Sequence, residues 1–181
     1  MQDKYKAPVI VWLAGGPGTS ALFSQFMAHG PIRIENDSFE RRELHWALNH
    51  HVIYIDNPVG AGFSFTNDSE GYCTNESMAP WISELLEYYR VLVYNGQLDI
   101  IIPYPGTVDF IRHLNFSGAE EYEKASRNVW RVNGDVAGYV KQAGKLTEIL
   151  VRNAGHMVPL DQPEWARDMI TRFTYNRSFI N

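Results

Sequence analysis

Two side chains in this sequence have the types and settings for proton transfer. Asp99 follows Tyr94-Asn95-Gly96-Gln97-Leu98, and His156 lies within Asn153-Ala154-Gly155-His156-Met157-Val158-Pro159. A carboxylate can orient an imidazole, and the imidazole can take up and return a proton. Upstream, Gly15-Gly16-Pro17-Gly18 follows an apolar run directly. Glycines there let backbone N–H groups turn toward a pocket, as an oxyanion site requires. The same residues fit a plain tight turn equally well; a phosphate loop does not fit, because no Gly-Lys-Ser/Thr follows. Taken singly, a His in a loop reads as a surface residue and an Asp after a strand as a turn former. The attacking group is missing: no Gly-x-Ser-x-Gly lies between the glycines and Asp99. Ser20 heads a helical pattern, Ser64 has no second glycine after it, and Cys73 lies in a loop with no feature that activates a thiol. An imidazole and a carboxylate without a nucleophile cannot form an acyl-enzyme.

The elements that must position these groups follow from periodicity. Lys6 to Leu13, Val52 to Ile55, Val91 to Tyr94 and Leu146 to Val151 are short apolar runs, the first three read as strands buried on both faces. Ser20 to Met27, Ser77 to Arg90, Thr107 to Leu114 and Gln162 to Tyr175 carry helical spacing. In the second of these, Pro80 suits the first turn and Ile82, Leu85, Leu86 and Tyr89 form the apolar stripe. Ile32 to Ala47 reads as a solvated loop or hairpin. Asn133-Gly134, between Val129–Val132 and Val136–Val140, is the strongest hairpin signal. Alternating strands and helices give an α/β class with a mostly parallel sheet, in which Asp99 and His156 both fall at carboxyl ends of strands. No repeat, low-complexity tract or domain boundary stands out, so residues 1–181 are read as one domain.

Bulk properties narrow the functions. A chain of 181 residues with 45% hydrophobic and 13% aromatic content can build a sizeable core. A net charge of −5 argues against nucleic-acid and anionic-membrane partners, and no apolar run is long enough to span a bilayer. No cofactor or metal motif is present. The single cysteine excludes an intrachain disulfide, and the opening residues carry no secretory leader. Against a cytosolic reading stand five Asn-x-Ser sequons, at Asn36, Asn67, Asn75, Asn115 and Asn176, where chance supplies about one.

Four blocks, in order, resemble the serine carboxypeptidase family: Trp12-Leu13-Ala14-Gly15-Gly16-Pro17-Gly18, Ile55-Asp56-Asn57-Pro58-Val59-Gly60-Ala61-Gly62-Phe63-Ser64, the Asp99 block and the His156 block. Val136 to Gly144 and Asp161 to Ala166 look like its vitellogenic-like branch. The resemblance implies an α/β-hydrolase fold that releases C-terminal residues from peptides, in a secreted, lysosomal or vacuolar setting. It implies Asp99 as the triad acid and His156 as the general base, with an oxyanion N–H from Gly16. Gly15 would help hold the substrate's terminal carboxylate.

The departures matter as much. The family's Gly-Glu-Ser-Tyr-Ala-Gly elbow, its strand and the cap region are absent between Glu76 and Ser77. Ala14 replaces an amide side chain, Thr19 stands where many relatives have Cys, and the chain begins close to the strand before the glycines. The expectation is an incomplete α/β-hydrolase fold of marginal stability. Its function is that of a catalytically defective carboxypeptidase fragment, or of a non-enzymatic binder of peptides with a free C-terminus.

Overall fold

The computed structural model describes residues 4–15, 18–72 and 79–180. The chain divides into two compact units, Met1–Glu76 and Ser77–Asn181.

In the first unit, β1 (Val9–Leu13) pairs in parallel with a strand formed some forty residues later. Between them lie α1 (Ala21–Ser24), which widens into a π turn through His29, and the hairpin β2 (Ile32–Glu35)–β3 (Ser38–Arg41). Asn36 and Asp37 turn that hairpin at φ 48° and 59°, a left-handed region that Asn and Asp tolerate. The partner strand is β4 (His51–Ile55), registered Val9↔His51, Val11↔Ile53 and Leu13↔Ile55. One face of this pair is covered. The Trp12 ring meets His29 edge-on at 4.4 Å, and His29 stacks on Trp46 at 4.1 Å. On the other face Val9, Val11, Leu13, Ile53 and Ile55 are 43–60% exposed, and no described element of this unit packs on them. The sequence reading of two-sided burial is therefore corrected for both strands, because an apolar run is buried only on the faces that another layer covers.

The Asp56 block closes β4 as a hub. Asp56 Oδ1 accepts from Ser20 Oγ at 2.8 Å and Ala21 N at 2.6 Å, and Oδ2 accepts from Phe63 N at 2.8 Å. Gly62, at φ 54°, makes room: a Cβ there would meet Oδ2 at 2.2 Å. Ser64 Oγ donates to the Asp56 carbonyl at 2.7 Å.

The second unit is α2 (Ala79–Tyr88), β5 (Val91–Gly96), α3 (Tyr104–Arg112), α4 (Ala119–Lys124), β6 (Asn128–Val132), β7 (Asp135–Ala143), β8 (Leu146–Val151), α5 (Val158–Asp161) and α6 (Pro163–Thr174). The sheet order is β5-β8-β7-β6; β5–β8 is parallel and the other two ladders are antiparallel. Asn133 and Gly134 take φ 51° and 92°, giving the expected hairpin. Side chains along β8 alternate between two cores. Ile149 and Val151 join Trp130, Val140, Ala166 and Met169 on one side, while Leu146 joins Leu86, Ile111 and Tyr122 on the other. The α2 stripe divides differently from its expected form. Leu86 is buried and Ile82 packs beside it, but Leu85 and Tyr89 face outward. Two short helices, α4 and α5, lie in stretches whose periodicity is too brief to read from sequence. No helix of the described residues is long and apolar enough to cross a membrane.

Candidate active site

Asp99 and His156, 57 residues apart in sequence, meet at the ends of neighbouring parallel strands. β5 ends at Gly96 and β8 at Val151, in register with each other. The two loops that follow are stitched by backbone bonds: Gln97 N donates to Val151 O at 2.8 Å and Leu98 N to Ala154 O at 2.8 Å. This approach requires glycine at 96, since a Cβ there would stand 2.0 Å from Gly155 O and 2.4 Å from Ala154 O. Asn153 turns its loop at φ 52°, and its carbonyl accepts from Gln162 Nε2 at 3.0 Å. Gly155 N donates to Asp161 Oδ2 at 2.7 Å, which ties the histidine loop to α5.

The carboxylate is held from several sides. Asp99 Oδ1 accepts from Ile101 N at 2.9 Å and Ile102 N at 3.0 Å, an Asx-type turn. Asn95 Nδ2 donates to Ile102 O at 2.9 Å and braces the same turn. Asp99 Oδ2 lies 2.9 Å from His156 Nδ1. Burial pushes the Asp99 carboxyl up, but the Ile102 N–H, the His156 ring and the Ile101 N–H together hold it below its ordinary value. An ionised carboxylate can only accept, so Nδ1 carries the proton and Nε2 is the basic nitrogen. Asp99 is buried, whereas the His156 side chain is 44% exposed. Beside them opens a cleft of about 250 Å³ lined by Asn95, Gly96, Asp99, Ile102, Thr107 and His156 among others. Thr107 and Tyr94 are also among its lining residues, and among the described contacts neither bonds to His156.

The remaining sequence-level candidates fall elsewhere. Gly15 lies two residues past β1 in the first unit, exposed, and a Cβ there would meet nothing within 4 Å among the described residues; Gly16 lies outside the described residues. Ser20 and Ser64 are both engaged at Asp56, and Cys73 is outside the described residues. Asn36, Asn67, Asn115 and Asn176 are exposed, with Asn176 Oδ1 accepting from Arg90 at 2.9 Å; Asn75 is outside the described residues. No group of three His, Cys, Asp or Glu among the described residues could hold a metal.

One supporting cluster escaped the sequence reading. Glu148 is buried in β8, where both its oxygens accept phenol protons, from Tyr104 and Tyr122. Arg127 bonds the Tyr104 hydroxyl and stands 3.9 Å from Glu148. Tyr104 opens α3, so the cluster fixes the helix that follows the Asp99 turn. The available signal was a lone acid inside the apolar run Leu146 to Val151, since a buried charge demands partners.

The sequence model of the serine carboxypeptidase family matches in two pieces, residues 1–79 and 72–176. The vitellogenic carboxypeptidase of Aedes aegypti is 28% identical over 367 residues, covering 96% of this chain and 78% of that protein. That span is about twice the length of this chain, so a long stretch of the relative has no counterpart here. The probable serine carboxypeptidase CPVL of Mus musculus is 43% identical over 109 residues, 59% of this chain and 23% of the relative. Among solved structures, a prohormone-processing carboxypeptidase of Saccharomyces cerevisiae superposes with a TM-score of 0.77 over 96% of this chain and 84% of that one. At 13% identity this likeness speaks for the α/β fold alone. With its family match running through both units and most of its length, the chain belongs to the serine carboxypeptidase family.

Proposed function

We infer that this chain retains the acid–base half of a serine carboxypeptidase site without the hydroxyl it serves, and is silent as a peptidase. Asp99 is the triad acid and His156 the general base, with Gly15 and Gly16 the remnants of the substrate-carboxylate and oxyanion contacts. The observation that carries the reading is the Asp99–His156 bond of 2.9 Å with no serine, threonine or cysteine bonded to His156 among the described residues. The break of the family match at residues 72–79 supports it, because the elbow of the family belongs there. The imidazole is oriented and its Nε2 can accept a proton, but no attached hydroxyl supplies one, so the acyl-enzyme branch of the reaction is closed.

The test is reaction with a fluorophosphonate probe and turnover of a peptide with a free C-terminus, each repeated with His156→Ala and Thr107→Val. Neither labelling nor turnover is expected. Turnover lost in both variants would replace this reading with a threonine nucleophile, and turnover lost only with His156→Ala would indicate a water activated by the imidazole. The cleft beside Ile102 also favours a second reading, retention of peptides with a free C-terminus without hydrolysis. Saturable peptide binding weakened by His156→Ala checks it.

A further inference from the structure

Glu148 stands where a charge is disfavoured. It is 3% exposed in the middle of β8, with Leu146, Thr147, Ile149 and Leu150 buried around it. A carboxylate there needs partners for both oxygens, and a well-packed apolar side chain often serves stability as well. Its two phenol partners have different addresses. Tyr122 belongs to α4, whereas Tyr104 is the first residue of α3 and its hydroxyl also accepts from Arg127. A single residue, Pro103, separates Tyr104 from Ile102, whose N–H donates to Asp99 Oδ1 at 3.0 Å. The proline ring fixes φ, here −61°, so the link is stiff. The Asp99 turn is thus tied twice to the sheet. Asn95 of β5 donates to Ile102 O at 2.9 Å, and Glu148 of β8, opposite Val93 of β5, holds Tyr104.

We propose that Glu148 and Tyr104 are positioning residues for the Asp99–His156 pair: the buried carboxylate fixes the start of α3 and, through Pro103, holds the Ile101 and Ile102 N–H groups against Asp99 Oδ1. The inference rests on the reading of that pair as an acid and its base. His156 takes one oxygen of Asp99, Oδ2, at 2.9 Å. Fixed donors on the other oxygen keep the carboxylate turned toward the ring. The turn that supplies them has little packing of its own, since Ile100, Ile101 and Ile102 are 52–90% exposed. Its stiffness comes from the two ties, of which Tyr104–Glu148 is charge-assisted and the stronger. This accounts for the buried charge. A leucine at 148 would pack against α3 and α4 but would not fix where the Tyr104 hydroxyl, and with it the helix start, comes to rest. Tyr122 shares the carboxylate, but no residue of α4 is among those lining the cleft or bonding Asp99.

The experiment is proton NMR with amide hydrogen exchange on the full chain, comparing Tyr104→Phe, Tyr122→Phe and Pro103→Gly. The unsubstituted chain is expected to show a low-field Nδ1 proton of His156 and protected amides at Ile101 and Ile102. Tyr104→Phe should speed exchange at those two amides by roughly tenfold or more, the value of one hydrogen bond to a charged group, and broaden or remove the Nδ1 resonance. Tyr122→Phe takes a bond from the same carboxylate and should lower stability while leaving both signals in place; a merely structural cluster would treat the two phenols alike. Pro103→Gly spares Glu148 and its partners but frees the link, so it should act in the same direction as Tyr104→Phe. It decides the matter if the Tyr104 variant does not fold. Signals indifferent to Tyr104→Phe in a folded chain, indifferent to Pro103→Gly, or lost equally with Tyr122→Phe would each overturn the proposal and leave the Asp99–His156 pair standing. An unsubstituted chain with no Nδ1 resonance would remove the pair itself, and the proposal with it.

Discussion

The two units show what separates an apolar strand from a buried one. β8 and β1 are both short, apolar and parallel-paired, yet every residue of β8 is buried while three of five in β1 are exposed. β8 is internal to its sheet and has a hydrophobic core on each side; β1 has an aromatic cluster on one side and nothing of its own on the other. Unsatisfied polar atoms follow the same division. Trp12 Nε1, His29 Nε2 and Trp46 Nε1 are buried without a hydrogen-bond partner in the first unit. Among the described residues, the second unit has no such atom. Each such atom costs about 1–3 kcal/mol. The Asp99–His156 pair belongs to the better-built unit, which explains how the two side chains keep their geometry in a chain with an incomplete fold.

Four measurements break or sharpen this contrast. The largest effect is expected at Trp130, fully buried with its indole N–H donating to Asp168 Oδ2 at 2.9 Å. Trp130→Ala should cost about 3–5 kcal/mol of second-unit stability in denaturant titration; a cost below 1 kcal/mol, on the order of a surface change, would erase the contrast.

Acid should separate the units next. Burial, with Arg42 nearby, lowers His29 from its ordinary 6.5 to about 4. The folded unit holds the ring neutral, whereas the unfolded chain takes up a proton below 6.5, so folding is favoured above that pH. The contribution, up to about 3 kcal/mol, is lost as pH falls toward the folded value. Asp99 has the same sign, since its contribution is also lost in acid. Its carboxyl is depressed in the fold, so that contribution is full above the ordinary carboxylate value and is lost only as pH falls from there through the depressed one. Exchange protection should therefore fail in residues 9–55 before residues 91–151, and simultaneous failure would contradict the assignment.

Gly96→Ala comes third. The added methyl drives the aspartate and histidine loops apart, at about 1–3 kcal/mol. The low-field Nδ1 proton resonance of His156 should disappear; its persistence would show that the loops do not need the close approach. The smallest effect belongs to the outward face of β1. Val11→Thr should change stability by less than about 0.5 kcal/mol, because the side chain is already exposed. A larger loss would mean that the face is covered.

Much of this was legible from short-range pattern. Leu146 to Val151 is a strand at the expected limits, Asn133-Gly134 turns a hairpin, and the helix over 163–174 follows its spacing. The Asp99 and His156 blocks were readable because turn residues mark strand ends. Their bond was an expectation of the family pattern, and it rests on the Gly96 approach to Gly155 and the Asn95 brace, contacts that no local pattern specifies. Glu148 was overlooked because its partners, Tyr104, Tyr122 and Arg127, come from three separate segments.

The sequence alone determined the element types, the turns, the family and the absence of a nucleophile motif, because propensity, turn chemistry and motif identity are properties of neighbours along the chain. The tertiary structure decided which faces are covered, that α2 has two apolar sides with only one buried, and that the carboxylate is pinned by two backbone N–H groups while the imidazole stays half open. Burial and hydrogen-bond satisfaction depend on residues distant in sequence, and a strand carries no record of whether another layer will reach its second face.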